Sequence, residues 1–377
     1  MKFSCLQENL HKGLSLVNHI ALSNSSLPIL NNVLLKVEKS TLSLITTNLE
    51  IGIRSQVRIK ADAVGDFTVP AQLISNYIAF LPNKPVSLEV NDGALLLGCG
   101  SHRTKIKGVS AEEFPLLPQI GRNTKYVCRI NDLKKGIQQV ISAVASDEYR
   151  PEISGVLLNF DFSAGRLTMA ATDSYRLAEK TISLNVGLSV SDNFQESSHN
   201  VIVPTKTLQE LLRMLSQPAE ENMEMYISEN QILFLWEDTE MISRTISGQY
   251  PDYKQIIPSE YKTRASVDLG NLAKMIKCAG LFSQSGLNDI RLEFKSSPGK
   301  IIVKSVSSQV GENISEMEAD VEGEDNEIVF NYRYLLDGLA NVGGSEVIFK
   351  IIDNNNPGIL MPTQEDGYFY IIMPIRQ

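Results

Sequence analysis

The 377-residue chain has little of what usually marks a specialised chemistry. Its four cysteines, Cys5, Cys99, Cys128 and Cys278, lie far apart with no Cys-x-x-Cys pair. That argues for reduced thiols and against a disulfide framework. The four histidines, His11, His19, His102 and His199, form no His-Glu-x-x-His motif and no cluster, so neither metal nor cofactor is expected. There is no Gly-x-x-x-x-Gly-Lys phosphate loop and no Gly-x-Ser-x-Gly nucleophile turn. Gly98-Cys99-Gly100 begins a dinucleotide fingerprint, but Arg103 takes the place of the third glycine, and the run reads as a turn at a strand edge. No apolar run is long enough to span a membrane. The opening Met1-Lys2-Phe3-Ser4-Cys5 lacks the apolar core of a secretion signal, so a cytoplasmic chain is expected. An excess of positive charge is missing too. The formal net charge is −9, whereas proteins that coat nucleic acid usually carry a basic surface.

What the chain does have is an internal repeat. Phe67-Thr68-Val69-Pro70 leads into an apolar helical pattern over Ala71 to Leu81, and Val201-Ile202-Val203-Pro204 leads into one over Thr205 to Leu215. Glu327-Ile328-Val329-Phe330 leads into a third over Asn331 to Asn341. Proline suits a helix start, where its missing N–H has no partner to lose. Upstream of each, alternating runs read as half-buried strands: Thr41 to Ile45, Arg166 to Ala170 and Lys300 to Lys304, preceded by Val33 to Val37, Val156 to Phe160 and Arg291 to Phe294. Each unit opens with an amphipathic helix, over Glu8 to Ile20, Asn131 to Ala145 and Asp268 to Phe282. In the second of these, Leu133, Ile137, Val140 and Val144 form the inward stripe, Lys134, Lys135, Gln138 and Gln139 face away, and Asn131 or Asp132 caps the start. The pattern of helix, strands, helix, strands, three times over, predicts an α+β chain of three domains, 1–122, 123–253 and 254–377.

Charge is unevenly placed on this pattern. The six expected helices sum to +3, which leaves −12 for the rest of the chain. Helices sharing one surface would give a mildly basic face in an acidic body, able to follow a phosphate backbone without gripping it. The densest acidic run alternates Glu316, Glu318, Asp320 and Glu322 with apolar residues. It reads as one solvated strand face, because the spacing of a calcium loop is absent.

Several segments together resemble the bacterial replicative sliding clamps, the beta subunits of DNA polymerase III. They are Met1-Lys2-Phe3, Leu27 to Leu35, Thr41 to Leu44 with Asn48-Leu49-Glu50, Ala171 to Ala178, Val201 to Pro204, Tyr250 to Tyr253 and Met373 to Arg376. The resemblance spans essentially the whole chain. It implies three clamp domains, each of two helices backed by antiparallel sheets, and two chains closed head to tail into a ring around duplex DNA. Such a chain is no enzyme. It binds DNA without regard to sequence and tethers the DNA polymerase III alpha subunit, other polymerases, the clamp loader and repair proteins carrying clamp-binding peptides.

The same resemblance places a peptide pocket between the second and third domains. Its expected walls are Thr172, Ser174, Tyr175, Arg176, Leu177, Pro251, Ile256, Ile371 and Met373, with Ile153 nearby. Pro374, Ile375 and Arg376 form the expected rim, joined by Asn331 and Tyr334. Ser174-Tyr175 departs from the Gly-His common in the family, and Gln377 from its usual apolar last residue. Ile106 is expected to meet Leu281 and Phe282 where the ring closes. For DNA, helix position selects Lys12, Lys134, Lys135, Lys206, Lys274 and Lys277, and the resemblance adds Arg150. Two other readings stay open on the residues alone. One is a scaffold of the same build that does not touch DNA. The other is a carboxylate hydrolase, since 44 acidic residues offer many pairs.

Overall fold

Local chemistry sets the ends of the helices. A computed structural model describes residues 1–22, 27–122, 124–146, 149–188, 198–216, 222–284, 286–364 and 367–376. Gln377 lies outside them. The helices among these residues are α1 Gln7–Val17, α2 Ala71–Ala79, α3 Ile130–Ile141, α4 Thr205–Met214, α5 Leu269–Gly280 and α6 Tyr332–Val342. Pro70 and Pro204 each end a strand one residue before helix begins, where a fixed φ and a missing donor cost nothing. In the third repeat the device is polar. The side chain of Asn331 accepts from Arg333 N at 3.0 Å and caps α6. Asp268 caps α5 in the same way through Asn271 N at 2.7 Å.

Two sequence expectations about helices are corrected. Helix α3 starts at Ile130, so Asn131 and Asp132 lie inside its first turn and are not its cap. Gln139 is buried, not outward: its amide donates to Asn341 O at 3.1 Å. The apolar stripe itself holds, with Leu133, Ile137 and Val140 fully buried.

Among the described residues the strands pair antiparallel in four sheets. The chain divides into two compact units. One comprises Met1–Ile130, Val186–Asp192 and Arg213–Thr245, and the other Asn131–Asn185, Asn193–Leu212 and Ile246–Gln377. The first unit holds a five-stranded sheet that ends on the edge strand His102–Lys107, and a nine-stranded sheet. In the latter, Ile51–Arg58 pairs with Thr239–Arg244. The second unit holds another nine-stranded sheet, in which Arg176–Ser183 pairs with Tyr368–Ile372. It also holds a four-stranded sheet that ends on the edge strand Gly311–Glu318. Both long sheets therefore join strands far apart in sequence. In the first unit α1 packs on α2, and in the second α5 packs on α6.

The acidic run is also corrected. It is not one strand face: Glu316 and Glu318 end the strand Gly311–Glu318, while Asp320 and Glu322 lie on Asp320–Gly323, in the other sheet of that unit.

Candidate functional site

The most elaborate polar arrangement in the second unit is the turn between the strands Arg166–Thr172 and Arg176–Ser183. Thr172 Oγ1 donates to Arg176 O at 2.7 Å and accepts from Ser174 N at 3.1 Å. Asp173 Oδ1 accepts from Tyr175 N at 2.9 Å and Arg176 N at 3.0 Å. These four bonds hold Ser174 at φ +76°, a left-handed conformation that non-glycine residues adopt only when something fixes it.

The turn positions a guanidinium. Arg176 Nε lies 2.9 Å from Asp173 Oδ2, and its Nη1 pairs with Asp337 of α6 and reaches Tyr370 Oη at 3.4 Å. Its carbon sits 4.5 Å from the centre of the Tyr334 ring. Burial would lower the Arg176 pKa, but Tyr370, Asp337 and Asp173 outweigh it and raise it, so the charge is retained. Tyr175 stacks on the other ring partner, Tyr334, at 6.4 Å and 23°. Being 62% exposed, it offers most of its surface to solvent.

Below this polar tier lies an apolar floor. Leu177 and Ile371 are cross-strand partners and completely buried. They cluster with Ile359 and Tyr253, and Tyr250, Ile257 and Met361 pack against them. Tyr253 donates to Glu179 Oε2 at 2.6 Å. Burial pushes the Glu179 carboxyl above the usual range, against the pull of that hydrogen bond. Pro251 is half-buried and Ile256 is 39% exposed. The chain end runs alongside. Met373 N donates to Tyr175 O at 2.9 Å and Ile375 N to Val329 O at 2.8 Å. Met373, Pro374 and Ile375 are half-buried and Arg376 is exposed. Ile153 is buried in the short turn Pro151–Ile153. Asn331 is half-buried and committed to capping α6.

Of the basic residues selected from sequence, Lys12, Lys135, Lys206, Lys274 and Lys277 are exposed on α1, α3, α4 and α5, and Lys134 is half-exposed on α3. Lys12 pairs with Glu237 at 2.9 Å. Arg150 is not on a helix. The structure brings it to the Thr172–Arg176 turn, with Nη1 3.1 Å from Ser174 Oγ and Nε 3.0 Å from Glu152 Oε1. Leu281, at the end of α5, is 77% exposed and Phe282 half-buried. Ile106 is only 4% exposed within the single chain, so a second chain meeting that strand would cover its edge and its neighbours more than its side chain.

Three family descriptions match in succession: the N-terminal domain of the DNA polymerase III beta subunit over residues 1–118, the central domain over 128–252 and the C-terminal domain over 254–376. The chain belongs to the DNA polymerase III beta subunit family. A beta sliding clamp of Synechococcus elongatus is 32% identical over 380 residues, covering 100% of this chain and 99% of that protein. One from Staphylococcus aureus is 31% identical over 364 residues, 93% of each. Among solved structures, the DNA polymerase III subunit beta of Pseudomonas aeruginosa has a TM-score of 0.92 at 27% identity, covering 100% of both chains. The DNA polymerase sliding clamp of Bacillus subtilis has a TM-score of 0.91 at 27% identity, covering 100% and 99%. The fold is thus the sliding-clamp fold: three clamp domains of helices and antiparallel sheets, and a role in DNA replication follows.

Within this beta subunit fold, sequence reasoning missed three residues that hold the turn and its arginine. Asp173 sits in a Thr-Asp-x-x-Arg run whose spacing signals an aspartate-closed turn, so a signal existed. Asp337 and Tyr370 carried none, because they reach Arg176 from 161 and 194 residues away.

Proposed function

We propose that two copies of this sliding clamp close head to tail around duplex DNA. The ring then serves as a non-enzymatic, cytoplasmic tether for the DNA polymerase III alpha subunit, other polymerases, the clamp loader and repair proteins. The observation that carries the proposal is a pair of free sheet edges of opposite charge. On His102–Lys107, Arg103, Lys105 and Lys107 are exposed and alternate along one face. On Gly311–Glu318, Glu312, Glu316 and Glu318 do the same, with Ile314 exposed between them. An uncovered edge invites another strand. Pairing the basic edge of one copy with the acidic edge of the next satisfies both backbones and both charge rows. Closing two such contacts gives a ring without free ends.

In this reading the chain comprises three repeats, 1–122, 123–253 and 254–377, and Lys12, Lys134, Lys135, Lys206, Lys274 and Lys277 meet phosphates. A few lysines in an otherwise acidic protein suit weak, sequence-blind contact, as sliding requires. The surface around Thr172–Arg176, with Pro251, Ile256, Tyr334 and Met373 to Arg376, takes partner peptides: an apolar floor for anchor side chains and a fixed guanidinium for orientation. The test is topological. Clamp loaded onto nicked circular DNA should stay bound through gel filtration and leave once the circle is cut. Reversing Arg103 and Lys105 to Glu should abolish retention and yield a monomer by light scattering. Equal release from circles and linear DNA would defeat the ring, and unaltered retention by the reversed variant would defeat this route of closure.

A further inference from the structure

The three repeats can be matched residue by residue through their cores. In α1, α3 and α5, Leu10, Leu133 and Leu272 are fully buried, and so are Leu14, Ile137 and Ile276 one turn later. In α2, α4 and α6 the matching core residues are Ile74, Leu208 and Leu335, again fully buried. These helices start directly after Pro70, Pro204 and Asn331. The turns agree as well. Thr47 Oγ1 donates to Ile51 O at 2.9 Å and accepts from Leu49 N at 3.0 Å. Asn48 Oδ1 accepts from Glu50 N at 3.0 Å and Ile51 N at 2.7 Å. These are the bonds of the Thr172–Arg176 turn, and Leu49 has φ +75° where Ser174 has +76°.

This register sorts the exposed basic residues. Lys12, Lys135 and Lys274 fall on one repeat position, between the two core residues of the first helix, and all three are exposed. The second residue of the second helix is Gln72, Lys206 or Arg333, and all three are again exposed. Arg333 therefore stands where Lys206 does.

The packing beneath Arg333 holds it in place. Gly280 of α5 leaves room for the Tyr332 ring: a Cβ there would lie 2.8 Å from Tyr332 Cε2. Arg333 Nε donates to Tyr332 Oη at 3.4 Å, and its guanidinium carbon lies 5.9 Å from the centre of that ring. Among the described residues no carboxylate neutralises it. Tyr334, which stacks on Tyr175, lies about 100° further around the helix, so the partner surface belongs to Tyr334 and not to Arg333.

We propose that Arg333 meets phosphates as Lys206 does, on a DNA face laid out by repeat position. This rests on reading the helices as the lining of a ring. The first helices supply a lysine in every repeat. The second helices supply a charge in two repeats of three and leave a neutral gap at Gln72. A guanidinium braced on a tyrosine ring offers a phosphate planar, pre-set donors where a lysine offers a swinging point charge.

The probe is a short fluorescein-labelled DNA duplex, titrated by anisotropy against the full chain over a range of salt. Arg333→Ala should lower the slope of log affinity against log salt by about 1 for each copy that touches DNA, and Arg333→Lys should regain it. Gln72→Lys should raise the slope by a like amount. Lys60→Ala, on the exposed edge strand Lys60–Ala63, should leave it unchanged, and an equal fall there would reduce the effect to net charge and overturn the proposal. An unchanged slope in Arg333→Ala or in Gln72→Lys overturns it as well. So does a loss of partner-peptide affinity in Arg333→Ala without a change of slope, since that places Arg333 on the other surface. Lys135→Ala and Lys274→Ala separate the two failures. If they too leave the slope unchanged, the reading of a DNA-lining helical face falls; if they lower it while Arg333→Ala does not, only the role of Arg333 falls.

Discussion

The turns at 47–51 and 172–176 share a backbone and differ in almost everything they present. Thr47 and Thr172 make the same bonds, but a neutral Asn48 stands where Asp173 carries a charge, and a buried Ile51 where Arg176 is held. Leu49 and Glu50 replace Ser174 and Tyr175. A threonine followed by Asn or Asp is enough to build the turn, whichever of the two it is. Only the charged version also organises a guanidinium, and through it Tyr334 and Tyr175. Geometry was thus kept in both units while the chemistry was built in one.

The largest expected break in this comparison comes from truncating the two Asx residues. Asp173→Ala removes two backbone hydrogen bonds and one charge partner of Arg176, and should destabilise its unit by about 3 kcal/mol. Asn48→Ala should cost about 1 kcal/mol. Urea unfolding of both variants tests the ratio, and equal costs would show that the charge adds nothing to the turn.

A smaller effect sharpens the comparison through pH. Burial raises the Glu179 carboxyl above its ordinary value while the hydrogen bond from Tyr253 lowers it. With a raised pKa the folded chain binds this proton more tightly than the unfolded chain. Its contribution to stability is therefore full below the unfolded value and lost as pH rises through the folded one. Tyr253→Phe removes a downward pull, so the Glu179 titration should move up and the loss should extend to higher pH, with a cost of about 1 kcal/mol near neutrality. Carboxyl titration by NMR reads this directly, and a fall in the Glu179 value would refute it. In the first unit Arg54 occupies the matching position, so no such signature should arise there.

The smallest effect is expected at the turn tips. Tyr175→Ala loses one stack on Tyr334 and should cost about 0.5 kcal/mol, with partner-peptide affinity falling severalfold. Glu50→Ala should leave that affinity unchanged within error when both variants are titrated with the peptide by isothermal calorimetry. A larger effect at Glu50 would mean that the first turn is already in contact with partners.

Much of the fold was legible because it follows local rules. Apolar stripes located all six helices to within a few residues at each end, and Arg166 to Ala170 and Lys300 to Lys304 lie in strands as their alternation implied. What failed depended on distant partners. Gln139 read as solvent-facing but is covered where Asn341 approaches. The acidic run looked continuous because period two is blind to a change of sheet at Ala319. In the candidate site, Asp173 was recoverable from its spacing, whereas Asp337 and Tyr370 became visible only when folding brought them to Arg176, and Arg150, selected for DNA by resemblance, lies beside Ser174.

The pairing of Ile51–Arg58 with Thr239–Arg244 has a consequence for how the chain is made. Until residues 239–244 leave the ribosome, the strand Ile51–Arg58 lacks the neighbour that covers its outer side. At about 5–20 residues per second, that delay is of order ten seconds or more. During that time the nascent chain exposes an unsatisfied edge on a strand whose Ile51, Ile53 and Val57 are buried in the finished fold, the kind of surface that chaperones at the tunnel exit shield.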